Sequence, residues 1–184
     1  EQAFRKDVHE FVRNRWSGLT TDEYEGDATE SALRTREYEQ ALNERGWLTM
    51  AWPEEYGGRG APHFDQLIFA EESAAFGAPA GGASVQMVGP LLMILGTDQQ
   101  KREHLPRIAS AEVIWCQGFS EPGAGSDLAS LRTRAVRDGD EYVINGQKIW
   151  TSGAHNSDWG LLIARTDPNV PKHKGLTMFF LSMK

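Results

Sequence analysis

The sequence predicts an α+β protein: an N-terminal all-α helical domain over residues 1–112, then a truncated antiparallel β-barrel domain over residues 113–184. Three observations lead there. Apolar residues recur at spacings of three and four through the first part, the repeat of one helix face. From Val113 that repeat is lost. Asp138-Gly139 and Asn145-Gly146, both strong hairpin signals, then sit among short β-rich runs.

Taken in order, Phe4, Val8, Phe11, Val12 and Trp16 define one amphipathic helix. Tyr38, Ala41 and Leu42 repeat the pattern, and Gly46 stands where a helix would stop with a left-handed residue. Val88, Leu91, Leu92 and Leu95 form another stripe that ends at Gly96. Thr97 opens the next helix with Gln100 three residues on, the spacing of a capping box. These stripes read as core faces. Trp52 to Gly60 is dense in turn formers and reads as a loop; no Gly-Lys-Ser/Thr follows, so it is not a phosphate loop. In the second domain, strands are expected at Thr133 to Val136, Tyr142 to Ile144, Lys148 to Trp150, Trp159 to Ala164 and Leu176 to Leu181. A sheet that stops at Lys184 leaves an open edge, which natural proteins cover or blunt, so further chain is expected beyond it.

Composition removes several classes. The apolar share of 40% and charged share of 24% are those of a globular protein, and no run of about 18 apolar residues suggests a membrane span. A net charge of −7 argues against a general nucleic-acid binder, which needs an excess of Lys and Arg. The charged start at Glu1 has no apolar secretory segment and no initiator Met, which fits a trimmed beginning. The single Cys116 rules out an internal disulfide or a Cys-rich zinc site, reads as a core thiol, and fits a reducing cytoplasm.

The chemistry concentrates in residues 116–127 and 149–152. Ser120 and Ser152 offer hydroxyls, Gly123 and Gly125 allow close backbone approach, and Trp150 offers a flat apolar face. In a strand, Trp150 and Ser152 would point to the same side. Gly123-Ala124-Gly125 begins like a dinucleotide fingerprint, but Leu128 occupies the third glycine position and a hairpin follows in place of a long helix. Neither a nucleophile elbow nor a metal-binding histidine spacing occurs. The five histidines are scattered and read as surface or satisfied groups. Glu121 and Asp127 have the look of an acid/base pair, but Asp127 reads better as pinning the loop through backbone bonds and Glu121 as structural. On the residues alone, a planar-ligand site and a core tryptophan beside a turn both stand.

The segments Glu121-Pro122-Gly123-Ala124-Gly125-Ser126-Asp127 and Asn145-Gly146-Gln147-Lys148-Ile149-Trp150 resemble the acyl-CoA dehydrogenase family. Trp52 to Gly58 and Gly96 to Lys101 are similar to it at matching places in the same order, so the resemblance runs over essentially the whole chain. It implies a helical domain, a middle β-domain and a C-terminal helical domain with FAD between them, in a homotetramer or related heteromer. The family's catalytic carboxylate usually lies in that C-terminal domain, so no residue here is named as the base.

Carried over by position, Gln117 to Ser126, including Phe119 and Gly125, would line the flavin, with Ser120 donating to its pyrimidine end. Trp150 would pack against the ring, with Thr151 beside it and Ser152 reaching the N5 region. Many relatives carry Thr at both hydroxyl positions, and Gln117 departs from an aromatic often found there. Ser126 would also touch the thioester arm of the acyl-CoA substrate, and Met87 and Leu91 would line its acyl pocket. The implied reaction is α,β-desaturation of an acyl-CoA, with hydride passing to flavin N5 and electrons to an electron-transfer flavoprotein. The resemblance leaves an acyl-CoA oxidase, a flavin monooxygenase of the same fold, and a non-catalytic subunit of a heteromeric complex as alternatives.

Overall fold

In a computed structural model the described residues are 1–16 and 28–184; residues 17–27, within the region read as helical, lie outside them. The chain divides into two compact units, Glu1–Val113 and Ile114–Lys184.

The first unit is helical. It contains α1 (Gln2–Arg15), α2 (Ala28–Glu44), α3 (His63–Ala75), α4 (Gly89–Leu95) and α5 (Asp98–Ala109). The spacing of Val8, Val12 and Trp16 puts all three in the core with Tyr38, Leu42, Ile68, Leu92 and Ile108. Each fully buried aliphatic side chain contributes roughly 1.5–3 kcal/mol. Trp47 gathers the aromatic part of that core: Phe11 meets it edge-on at 5.2 Å, and the Arg45 guanidinium lies over its ring at 4.6 Å. Gly46 ends α2 with φ +66°; its amide donates to the Asn43 carbonyl and the Trp47 amide to that of Leu42. That pair of bonds is a Schellman motif. At α5 the Thr97 hydroxyl accepts from the Gln100 amide, while the Gln100 side chain accepts from the Thr97 amide, closing the capping box.

The stripe on α4 is narrower than its periodicity suggests. Val88 and Leu92 are fully buried, whereas Leu95 is 75% exposed. A π-helical turn, Ser84–Val88, leads directly into α4. Pro90 supplies a reason, since it has no N–H to give and its ring presses on the carbonyl four residues back; a π turn widens the ladder there. The Trp52 indole braces this junction, donating from Nε1 to the Val85 carbonyl at 3.1 Å.

The second unit is built on a five-stranded sheet: β1 (Trp115–Gly118), β2 (Arg134–Asp138), β3 (Glu141–Asn145), β4 (Trp159–Arg165) and β5 (Leu176–Ser182). The expected barrel is corrected here. The sheet is open and mixed, with β1 and β2 both parallel to β4, and β5 antiparallel to it along its full length. β4 can serve three partners because β1 pairs with its first half and β2 meets only its last residue, Arg165. Trp115 and Trp159, register partners, stack at 5.6 Å, and Leu161 and Ala164 of β4 are fully buried.

Two of the local expectations also change. The Asp138-Gly139 signal marks the β2–β3 hairpin, where Gly139 takes φ +62°. Asn145-Gly146 marks no hairpin: β3 ends at Asn145 and residues 146–151 form no strand. Gly146 is required for proximity, since a Cβ there would lie 2.6 Å from the Thr133 Cα. The strand expected at Lys148 to Trp150 is therefore absent, and with it the argument that Trp150 and Ser152 share a strand face.

Candidate functional site

The loop after β1 is held at its base and open at its tip. Glu121 and Ala124 exchange backbone bonds of 2.8 and 3.1 Å around Pro122-Gly123, a tight turn with proline at its first central position. A Cβ added at Gly123 or Gly125 would meet nothing within 4 Å, and both residues are exposed with Ser126. Ser120 and Phe119 are half-buried, and Gln117 lies within β1 opposite Leu161.

Glu121 is the electrostatic centre of the loop. Its carboxylate is 8% exposed and accepts from the Arg132 amide at 2.6 Å, the Thr133 amide at 2.8 Å and the Lys148 Nζ at 2.9 Å. Burial by itself would raise its pKa; the bonds from Thr133, the Arg132 amide and Lys148 prevail and bring it down to about 2. A carboxyl so firmly ionised and fully engaged is structural. Asp127 is exposed and pins the loop through both backbone and side chain: its carbonyl accepts from the Ser130 amide at 3.0 Å, and the Lys172 and Ser130 side chains donate to its carboxylate and hold it below the usual carboxylate range. Arg165, at the end of β4, donates to the carbonyls of Ala129, Leu131 and Lys172 and secures the same stretch from below.

The second part is the segment after β3. The Lys148 ammonium donates to the Phe119 carbonyl at 2.9 Å, and the Ile149 amide donates to that of Ser120 at 2.9 Å. Trp150 follows with φ +59° and its side chain 85% exposed. A bulky residue in left-handed backbone costs on the order of 1–3 kcal/mol, and an indole in water regains none of it by packing. The next residue, Thr151, has its hydroxyl oxygen buried without a hydrogen-bond partner, and Ser152 is exposed. The hydroxyls of Ser120, Ser126 and Ser152, open space over two glycines, an uncovered indole and an orphaned hydroxyl together fit a flat ligand with a polar edge.

Met87 and Leu91 lie in the helical unit, both half-buried. The same unit contains a cavity of about 460 Å³ lined by Met50, Trp52, Phe69, Val85, Pro90 and Met93, with neither Met87 nor Leu91 among its lining residues. Lys148 and Arg165 carry no sequence signal of their own. Glu121 lies 27 residues from Lys148, and Ala129 lies 36 from Arg165, and a lone cation in a strand-like run reads as solvated.

The acyl-CoA dehydrogenase N-terminal domain model matches residues 1–112, and the acyl-CoA dehydrogenase middle domain model matches residues 116–184. The chain belongs to the acyl-CoA dehydrogenase family, a family of FAD-dependent oxidoreductases. It is similar to the acyl-CoA dehydrogenase FadE26 of Mycobacterium tuberculosis, 48% identical over 149 residues, which cover 79% of this chain and 37% of that protein. Among solved structures it is similar to a chain of the ChsE4-ChsE5 complex from Mycobacterium tuberculosis, with TM-score 0.85 and 42% identity, covering 98% of this chain and 46% of that one. It is also similar to the Tcur3481-Tcur3483 steroid ACAD, with TM-score 0.82 and 40% identity over 98% of this chain and 47% of that one. The chain thus spans less than half the length of these relatives. Among the described residues, no helix is long and apolar enough to cross a membrane.

Proposed function

We propose that this chain carries the FAD-holding residues of an enzyme that desaturates an acyl-CoA thioester between Cα and Cβ. The observation that carries the reading is Trp150, an 85% exposed indole in left-handed backbone beside the unpartnered Thr151 hydroxyl, within a chain of this family. FAD, when bound, supplies the hydride acceptor and relays electrons to an electron-transfer flavoprotein. Trp150 offers its face to the ring and shields it from water. Ser120 and Ser152 donate hydrogen bonds to the polar edge, where donors placed in advance stabilise developing negative charge. Gln117, Phe119, Gly125 and Thr151 shape the remaining wall. Ser126 contacts the thioester arm, and Met87 and Leu91 meet the acyl chain. The proton-abstracting carboxylate is assigned to the family's C-terminal domain, outside residues 1–184. Similarity to the Tcur3481-Tcur3483 steroid ACAD favours a steroid-derived acyl group, and a buried lone Cys116 fits a cytoplasmic enzyme.

The full-length protein carrying this chain tests the reading. It should bind FAD, and the bound flavin should bleach when an acyl-CoA thioester is added without oxygen. Trp150→Ala and Ser152→Ala should each weaken FAD binding or slow bleaching by about tenfold, the worth of roughly 1.4 kcal/mol. Wild-type affinity and bleaching rate in both variants would remove the site assignment. Oxygen uptake during turnover would replace the dehydrogenase by an oxidase or monooxygenase. A second reading, a subunit that shapes a partner's site without performing chemistry, is favoured by the two named components of both similar structures. A protein that stays colourless with FAD, yet binds a flavin-containing partner, would establish it.

A further inference from the structure

We propose that the buried pair of Lys148 and Glu121 is a positioning device that sets Ser120 and Trp150 in register for the cofactor. The inference rests on the flavin reading above and adds to it the residues that hold the site in shape. The side chains of Lys148 and Glu121 are only 11% and 8% exposed. Lys148 Nζ bonds both the Phe119 carbonyl and Glu121 Oε1, and Glu121 bonds the Arg132 and Thr133 amides. With the Ile149 amide on the Ser120 carbonyl, these bonds tie residues 119–121, 132–133 and 148–149 into one knot. Two of the residues assigned to the flavin stand at its margins: Ser120 lies between Phe119 and Glu121, and Trp150 directly follows Ile149.

The knot acts where burial gives the exposed parts of both segments little support. Pro122, Gly123, Gly125 and Ser126 are exposed, and the Trp150 indole is largely solvated. Left-handed backbone at a bulky residue persists only where its surroundings over-determine it. Residues 148 and 149 supply that constraint on one side, and the Ser152 amide, bonded to the Trp150 carbonyl at 3.0 Å, supplies it on the other. A buried ion pair is weak evidence for net stability, and apolar replacements of such pairs are often neutral. Fixing one arrangement of the chain is the role that fits.

The test uses the full-length protein with Lys148→Met, Glu121→Gln and the double variant, which removes both buried charges together and remains available where a single variant fails to fold. Amide exchange over residues 148–152 is read without FAD, and the FAD dissociation constant and visible circular dichroism of the flavin are read with it. In each folded variant, exchange at Ile149 should accelerate at least tenfold, FAD should bind at least ten times more weakly, and the flavin signal should change shape. A role confined to stability would lower the unfolding midpoint and leave the flavin signal and FAD affinity as they are. A folded variant with wild-type exchange at Ile149, or with wild-type FAD affinity and flavin signal, overturns the proposal. A wild-type protein that takes up no FAD sinks the flavin reading, and the knot then stands or falls on the exchange measurement alone.

Discussion

Trp150 combines two states that a folded chain ordinarily avoids, left-handed backbone at a bulky residue and a solvated indole. Glycine tolerates that backbone without strain. Trp150→Gly should therefore stabilise the FAD-free protein, by up to about 1 kcal/mol in urea denaturation, while weakening FAD binding. Strain that is removed while binding is lost is the pattern of a residue held for a ligand. Glu121 behaves in the opposite way. Its pKa falls from an ordinary 4.5 to about 2 on folding, so the stability it contributes is fully present above about pH 4.5 and is lost as pH falls toward 2. Unfolding free energies of wild type and Glu121→Gln, from denaturant titration, should differ by on the order of 2–3 kcal/mol near neutral pH and converge as the solution is acidified through that window. A constant gap across the range would show that the charge of Glu121 is not what stabilises the loop. Both residues are visible in the sequence, but their states are not. The φ of Trp150 and the desolvation of Glu121 follow from partners at Ser120, Arg132 and Thr133.

At the level of elements, short-range chemistry was legible wherever its partners lie within about one helical turn. The capping box at Thr97 and the stop at Gly46 formed as their spacing implies. Thr97→Ala should cost about 1 kcal/mol, read from the thermal midpoint, with the rest of the fold unchanged. The Asp138-Gly139 hairpin was legible for the same reason, whereas Asn145-Gly146 misled because its glycine answers to the distant Thr133. The π turn before α4 escaped periodicity altogether. It depends on Pro90 and on Trp52, whose ring fills the space beside Gly89; a Cβ there would lie 2.1 Å from the indole Cζ2. Gly89→Ala should then destabilise by about 2 kcal/mol or more through overpacking, and restore little even if the helix it enters prefers alanine.

For the whole molecule, the proposed FAD site would link cofactor and fold through mass action. A ligand that binds only the folded state stabilises it by about 2.7 kcal/mol at a hundred times its dissociation constant. FAD should raise the unfolding midpoint of the full-length protein in a concentration-dependent way, and Trp150→Ala should shift that dependence to higher FAD. The order of helices before sheet was determined by composition and period: burial demands one apolar face from each element, and the four-residue spacing of Val8 and Val12, or the turn signal at Asp138-Gly139 between short β-rich runs, states which kind of element can provide it. Family motifs likewise stand in plain order along the chain. Strand order, the parallel pairing of β1 and β2 with β4, and the absence of a closed barrel had to await tertiary structure. So did the buried knot around Glu121 and Lys148, whose members are 27 residues apart. A local pattern constrains only what a residue buries, whereas pairing between distant segments is settled by which contacts offset the chain entropy of bringing them together.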